Sequence, residues 1–421
     1  MKKKNFLVAS AILLLLAGCG PTDSNTDSSK ESKKGNEEYD LLVWEDQQKA
    51  KGTEEAIEKF EKDNDVKIKV VEKAYAQNIE DLRLDGPAGT GADVIAIPGD
   101  QIGTAVTEGL LKEIEVDEET QNSFTDSAMQ SQIIDEKVYG LPYAVETQLL
   151  FYNKDIVSEE EVPTTLGEWY DYSLDRTSSG KDQYGLIATF DQLYYAYEII
   201  NGYGGYIFNT DEKGNFDATD IGLANEGAIE GADIIKKFYD EKVFPSGIIG
   251  EQGTNTLDSL FTEGKAAAVI SGPWAIDPYK EAGINYGVKE LPMLDNGEHM
   301  SSFIGVKSYN VSSYSKNPDL AEKLVKFLSN EENQKTRYEI TQEIPAVESL
   351  SDDPILNESE SAVAIAEQSK YAELTPNITE MNQVWESYDA ALQTIASGKA
   401  DPKEALAEGV SNIESAIAAN K

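Results

Sequence analysis

Side chains able to do covalent or metal chemistry are scarce: 421 residues hold one cysteine, Cys19, and one histidine, His299. No metal-type ligand spacing surrounds His299, which reads as a solvated loop residue. The chain has no G-x-S-x-G elbow, no H-E-x-x-H pair and no Walker loop, since Gly264-Lys265 lacks the upstream glycine and the following hydroxyl. Asn209, Asp211 and Gly214 fit part of a calcium loop, but Lys213 stands where a ligand oxygen is needed, so a hairpin tip explains the stretch better. No catalytic residue, metal or cofactor is expected.

What remains is non-covalent recognition. Trp274 follows Gly272-Pro273, a rigid turn that would hold an indole at an edge. Trp385 stands in a polar helical stretch with Glu380, Asn382, Gln383, Glu386 and Asp389, an odd place for tryptophan unless its face is used. Asp46, Gln47 and Gln48 follow a strand ending at Trp44, at the end where ligands of open α/β sheets bind. Taken alone, each aromatic reads more readily as core, and Trp44 and Trp169 are assigned there.

The elements that must position these residues alternate between strand and helix. Leu41-Leu42-Val43-Trp44 predicts a short buried strand. Thr53 is placed as the N-cap of a helix with Ala56, Ile57 and Phe60 on one face. Val66, Ile68 and Val70 alternate with Lys67 and Lys69 at a period of two. Asp93-Val94-Ile95-Ala96-Ile97 predicts another buried strand, halted by Pro98-Gly99. Further strands are expected at 148–152, 267–271 and 303–306, with a tight turn at Asp295-Asn296-Gly297. The C-terminal region is helical in pattern, with Leu320, Leu324, Phe327 and Leu328 among its apolar positions. Such alternation implies α/β sheets with helical crossovers.

Ahead of this body the chain opens with Lys2, Lys3 and Lys4, and residues 6–16 are apolar apart from Ser10. That is the layout of a secretory signal, since about eleven residues reach only about 16 Å as a helix. The run ends in Leu16-Ala17-Gly18-Cys19, which resembles a bacterial lipobox. The resemblance implies a signal peptide over 1–18, cleavage before Cys19, and acyl chains such as palmitate on its thiol and new amino terminus. Residues 20–38 contain no aliphatic or aromatic side chain, so 19–38 is expected to be a lipid-anchored flexible linker. The expected location is the extracytoplasmic face of the cell membrane.

Lysine and arginine number 36 against 77 acidic residues, a formal net charge of −41. A polyanion argues against nucleic acid and against anionic membrane surfaces as partners. The folded body is too long for one compact core and suits two lobes.

Several strings, in order, resemble the bacterial extracellular solute-binding protein family 1, in its maltose/maltodextrin-binding form. They are Trp44 at the end of the first strand, Pro142-Tyr143-Ala144-Val145-Glu146, Phe151-Tyr152-Asn153-Lys154-Asp155, Gly204-Gly205-Tyr206 and Ser271-Gly272-Pro273-Trp274-Ala275, then Phe303-Ile304-Gly305-Val306, Pro376-Asn377-Ile378 and Trp385. The resemblance implies an α/β, two-lobed periplasmic-binding-protein-like clamp with three interlobe crossovers. The N-lobe would comprise 39–145 plus 306–350, and the C-lobe 146–303 plus 355–421.

The resemblance also implies a sugar site. A pyranose has apolar C–H faces suited to aromatic platforms and a rim of hydroxyls suited to carboxylates and amides. Trp274, Trp385 and Tyr194 would stack on the sugar. Glu146 and Asp100 match sugar-binding acids of the family, with Asp46, Gln47 and Gln48 adding rim groups. The sequence departs from the founding member at Ile97, which replaces a tryptophan platform. It departs again at Gln101 and Asp389, which replace basic residues, and at Gln192, which replaces a glutamate and still joins the rim. The expected function is a monomeric, lipid-anchored receptor that delivers maltose or maltodextrins to ABC permease subunits in the membrane. The same receptor for another oligosaccharide is the nearest alternative, followed by a surface sugar sensor, adhesin or glycosidase.

Overall fold

Strands whose residues are apolar on both faces sit in the middle of sheets, and those that alternate sit at edges. The computed structural model describes residues 39–178, 183–211, 216–351 and 353–420. Cys19, the signal sequence and the linker lie outside the described residues.

The first sheet contains β1 (Leu41–Asp46), β2 (Ile68–Lys73), β3 (Val94–Pro98), β4 (Gly140–Thr147) and two later strands. The second contains β5 (Leu149–Asn153), β6 (Tyr184–Ile187), β7 (Ala266–Ser271) and β8 (Tyr286–Lys289). The later strands of the first sheet are β9 (Phe303–Val311) and β10 (Glu373–Leu374). Its order is β10-β9-β3-β1-β2, and β4 also pairs with β9. β1 is central and parallel to both β2 and β3, with Leu41 opposite Ile68 and Asp46 opposite Lys73. β9 runs antiparallel to β3 and β4. In the second sheet the order is β8-β5-β7-β6.

The helices follow the apolar pattern. In α1 (Glu54–Asn64), Ala56, Ile57 and Phe60 are buried. Phe60 packs against Phe327 at 5.4 Å between centroids. The label α2 is used for Asn78–Ala88, α3 for Ile102–Thr107, α4 for Leu193–Gly202 and α5 for Pro318–Leu328. Likewise α6 is Glu331–Thr341, α7 Trp385–Ala396 and α8 Pro402–Ala419. Thr53 precedes α1 as expected, but its hydroxyl donates to Ala50 O at 2.9 Å and caps no helical N–H.

Trp44 and Trp169 are core residues, at 2% and 0% exposure. Residues 209–210 pair antiparallel with 216–217, and the expected hairpin tip at Lys213 and Gly214 lies outside the described residues. His299 departs from expectation: its ring is half-buried and stacks on Tyr371, 3.5 Å between centroids and 9° from parallel. No helix among the described residues is long and apolar enough to cross a membrane.

The chain passes from the first sheet to the second between Thr147 and Leu149, and returns at Phe303. A buried polar knot ties these passages together. The Thr147 hydroxyl donates to Phe303 O at 2.8 Å and lies 2.6 Å from Ser302 Oγ. Gln368 Nε2 donates to Met300 O at 2.9 Å and to Ser302 Oγ at 3.0 Å. Buried polar groups satisfied in this way specify a single arrangement of the backbone.

Candidate ligand-binding cleft

The end of β1 places Asp46, Gln47 and Gln48 in a tight turn, closed by Lys49 N donating to Asp46 O at 3.1 Å. Gln48 adopts the left-handed conformation there, at φ 62°. The end of β4 brings Glu146, the turn after β7 brings Trp274, and all five line one cleft of about 420 Å³. Tyr75, Lys307 and Glu343 line it as well.

Trp274 is 42% exposed, unusual for so large an apolar side chain. Its ring folds back over Gly272, where a Cβ would stand 2.2 Å from the ring atoms. Only glycine admits that approach, which explains the Gly-Pro-Trp order. Tyr194, on the first turn of α4, lies 6.4 Å from Trp274 between centroids. Phe303, fully buried, stacks under Tyr194 at 6.0 Å and meets Trp385 edge-on at 5.9 Å. The three expected platforms thus form one aromatic run, joined through Phe303.

Polar groups are arranged around that run. Tyr75 donates from its hydroxyl towards Glu146 Oε1 at 3.5 Å. Lys307 Nζ stands 3.1 Å from Glu343, 3.3 Å from Glu146 and 3.7 Å from Asp46. Burial pushes the carboxyls of Asp46 and Asp100 up, and Lys307 opposes that shift for Asp46. Burial also raises the Tyr75 hydroxyl, with the charges of Glu146, Asp100 and Asp46 acting in the same direction.

Not every expected residue enters this cleft. Trp385 is half-buried on Phe303, and Tyr194 abuts the cleft through Trp274. Asp100 approaches it only as a charge near Tyr75. Gln192 stands half-buried at the N-terminus of α4, below Tyr194 in the chain. Ile97, in place of the family's tryptophan, is fully buried in β3 and offers no platform. A second cavity, about 520 Å³, lies between α2, α3 and residues 379–383 and is lined by Gln101, Asn382 and Gln383 among others.

Tyr75, Lys307 and Glu343 were not singled out from the sequence. Lys307 had a signal, a lysine inside the otherwise apolar start of β9, because a buried ammonium requires anionic partners. Tyr75 follows β2 at the same sheet end as Asp46, so the rule that located Asp46 extends to it.

A mixed sheet pair with an aromatic and carboxylate cleft at the strand ends is the build of a solute-binding protein. The chain belongs to the bacterial extracellular solute-binding proteins, whose family profile matches residues 55–367. Its fold is the two-lobed α/β clamp of that class. It is 58% identical to the galactooligosaccharide-binding protein of Bacillus subtilis (strain 168), covering 98% of this chain and 97% of that one. It is 31% identical to the maltooligosaccharide ABC transporter solute-binding lipoprotein of Streptococcus pneumoniae (strain ATCC BAA-255 / R6), covering 98% of each. Among solved structures, a cyclo/maltodextrin-binding protein complexed with maltotetraose superposes with a TM-score of 0.83 at 36% identity, covering 91% of this chain and 99% of the other.

Proposed function

We propose that the protein is a carbohydrate receptor for an ABC importer, anchored by a lipid on Cys19 at the extracytoplasmic face of the cell membrane. Its ligand in this reading is a neutral galactosyl oligosaccharide, held between Trp274, Tyr194 and Trp385 on one side and Asp46, Glu146 and Tyr75 on the other. Gln47 and Gln48 complete the rim. The two lobes close on the sugar about the passages between residues 147 and 149 and at residue 303.

The observation that carries the reading is the solvent-facing Trp274 indole in a cleft lined by Asp46 and Glu146. Flat apolar faces beside carboxylate acceptors suit a pyranose, whose C–H faces stack while its hydroxyls donate. The choice of galactosyl units rests on the 58% identical relative. The buried Ile97 fits a ligand that makes one stack fewer than maltodextrins make in the founding member.

Maltodextrin is the second reading, favoured by the maltotetraose-bound structure at 36% identity. Calorimetry with galactotriose, maltotriose and maltotetraose decides between them. Tight binding of the galactosyl trimer with weak maltodextrin binding is expected. The reverse order makes the protein a maltodextrin receptor, and silence towards every oligosaccharide overturns the receptor reading. Product analysis after prolonged incubation with the bound sugar is expected to show no cleavage, and cleavage abolished by Glu146→Gln would replace the receptor with a glycosidase. Replacing Cys19 by alanine is expected to release the protein from the membrane while leaving its sugar affinity unchanged.

A further inference from the structure

The ammonium of Lys307 is almost wholly buried, with 9% of its side chain exposed, and it is shared by carboxylates from three separate elements. Asp46 comes from the end of β1, Glu146 from the end of β4 and Glu343 from the loop after α6. The Tyr75 ring covers the ammonium at 5.0 Å. Burial works against its charge, and the surrounding carboxylates outweigh burial, so the group stays protonated far into the alkaline range.

The next cation inward is equally committed. Arg337 Nε donates to the other oxygen of Glu343 at 2.8 Å, while its terminal nitrogens meet both oxygens of Glu45 at 3.2 Å. Its NH1 also donates to the Tyr309 hydroxyl at 2.8 Å. At the rim, Lys49 Nζ donates to Thr341 O at 3.3 Å. Among the described residues, Lys307 and Arg337 at the cleft floor are therefore both held by carboxylates of the protein, and the lining adds Asp277 to the acids.

We infer that Lys307 is a positioning and specificity-determining residue: it aims Asp46 and Glu146 as acceptors for sugar hydroxyls, and its saturation by them makes the cleft reject acidic sugars. A hydroxyl-bearing sugar donates to the free lone pairs of Asp46 and Glu146. A uronate in the same place meets their charge while the Lys307 ammonium is already occupied by carboxylates, and like charges brought together in a desolvated site weaken binding by on the order of a hundredfold. The inference rests on the reading of the cleft as a sugar site, and it adds which sugars are excluded and by which residue.

The test is calorimetry with two ligands of equal length, a neutral galactosyl oligosaccharide and its galacturonosyl counterpart. The wild type is expected to bind the neutral ligand tighter by on the order of a hundredfold. In Glu146→Gln the neutral ligand weakens and the acidic one gains, so that the ratio narrows by about tenfold or more, because part of the Lys307 charge becomes available. Lys307→Met loses about tenfold in neutral affinity, and Lys307→Arg restores most of it. Should Lys307→Met fail to fold, the wild type and Glu146→Gln decide alone. A wild type that binds both ligands within threefold, or a ratio unmoved in Glu146→Gln, overturns the inference while leaving the receptor reading intact. A wild type that binds no oligosaccharide of any kind overturns both.

Discussion

Phe303 lies flat against Tyr197, with ring centroids 4.3 Å apart and planes 7° from parallel. On its remaining sides it supports Tyr194 and Trp385. The hydroxyl of Tyr197 is fixed in turn by Glu373 at 2.7 Å. One buried ring on the return passage thus underlies two of the three proposed sugar platforms. Replacing Phe303 by alanine should cost about 3–5 kcal/mol of stability, the usual range for a buried phenylalanine. Phe303→Leu should keep the fold at a smaller cost yet still weaken sugar binding, because Tyr194 and Trp385 lose their common backing. Urea denaturation and ligand titration on the same samples separate the two effects.

Trp274 presents the opposite case, since its ring is 42% exposed and little of the core depends on it. Trp274→Ala should leave the melting temperature within a few degrees of wild type. Loss of one stacking face, about 1 kcal/mol beyond area burial together with the area itself, should weaken sugar binding by about tenfold or more. Gly272→Ala should act in the same direction, because its Cβ would displace the indole that folds over it.

The buried ion cluster predicts an acid limb in stability. Burial alone would raise the Glu343 carboxyl, and the charges of Arg337 and Lys307 outweigh it, lowering the pKa from 4.5 to about 2. A depressed folded-state value adds stability that is present above the unfolded value and is lost as pH falls towards the folded one. Stability should therefore drop between about pH 5 and pH 2, with about 3 kcal/mol traceable to this residue. Thermal melts of Glu343→Gln across that range should show a flatter limb. Arg337→Met, which strands Glu45 and Glu343 without their shared cation, should cost about 3–5 kcal/mol near neutral pH.

The strands were largely legible because burial on both faces leaves a continuous apolar run, as in Val94 to Ile97. The end of the first strand was legible for the same reason, and with it Asp46, whereas Glu146 was marked only by the family resemblance, since no strand over 140–147 was expected. Trp274 could be placed at an edge because Gly272-Pro273 restricts the backbone locally. The charge network was not legible, because it depends on register between distant segments: Glu45 reaches Arg337 across 292 positions. Nor did any local pattern mark Phe303 as the support of Tyr194 and Trp385, which lie on different helices. The stacking of His299 on Tyr371 was missed for the same reason, since a loop beside a tight turn reads as solvated until its neighbour from another segment is known.

Asp389 carries the last prediction, and its sign is opposite to that of Glu343. Its carboxylate accepts from Leu193 N at 2.6 Å, at the start of the helix that bears Tyr194. Burial pushes its pKa up from 3.8 to about 6, against the lowering effect of that hydrogen bond. The folded protein therefore holds a proton that the unfolded chain has already released. A raised folded-state value contributes stability that is complete below the unfolded value and disappears as pH rises through the folded one. Asparagine keeps an acceptor for the Leu193 N–H and carries no charge to desolvate. Asp389→Asn should accordingly stabilise the protein by about 2 kcal/mol at pH 8 and by almost nothing at pH 4. Urea unfolding at the two pH values measures the difference, and an equal effect at both would show that the charge of Asp389 is not what burial penalises. Because the hydrogen bond to Leu193 survives, Tyr194 should stay in place and sugar affinity at pH 8 should remain within about threefold of wild type.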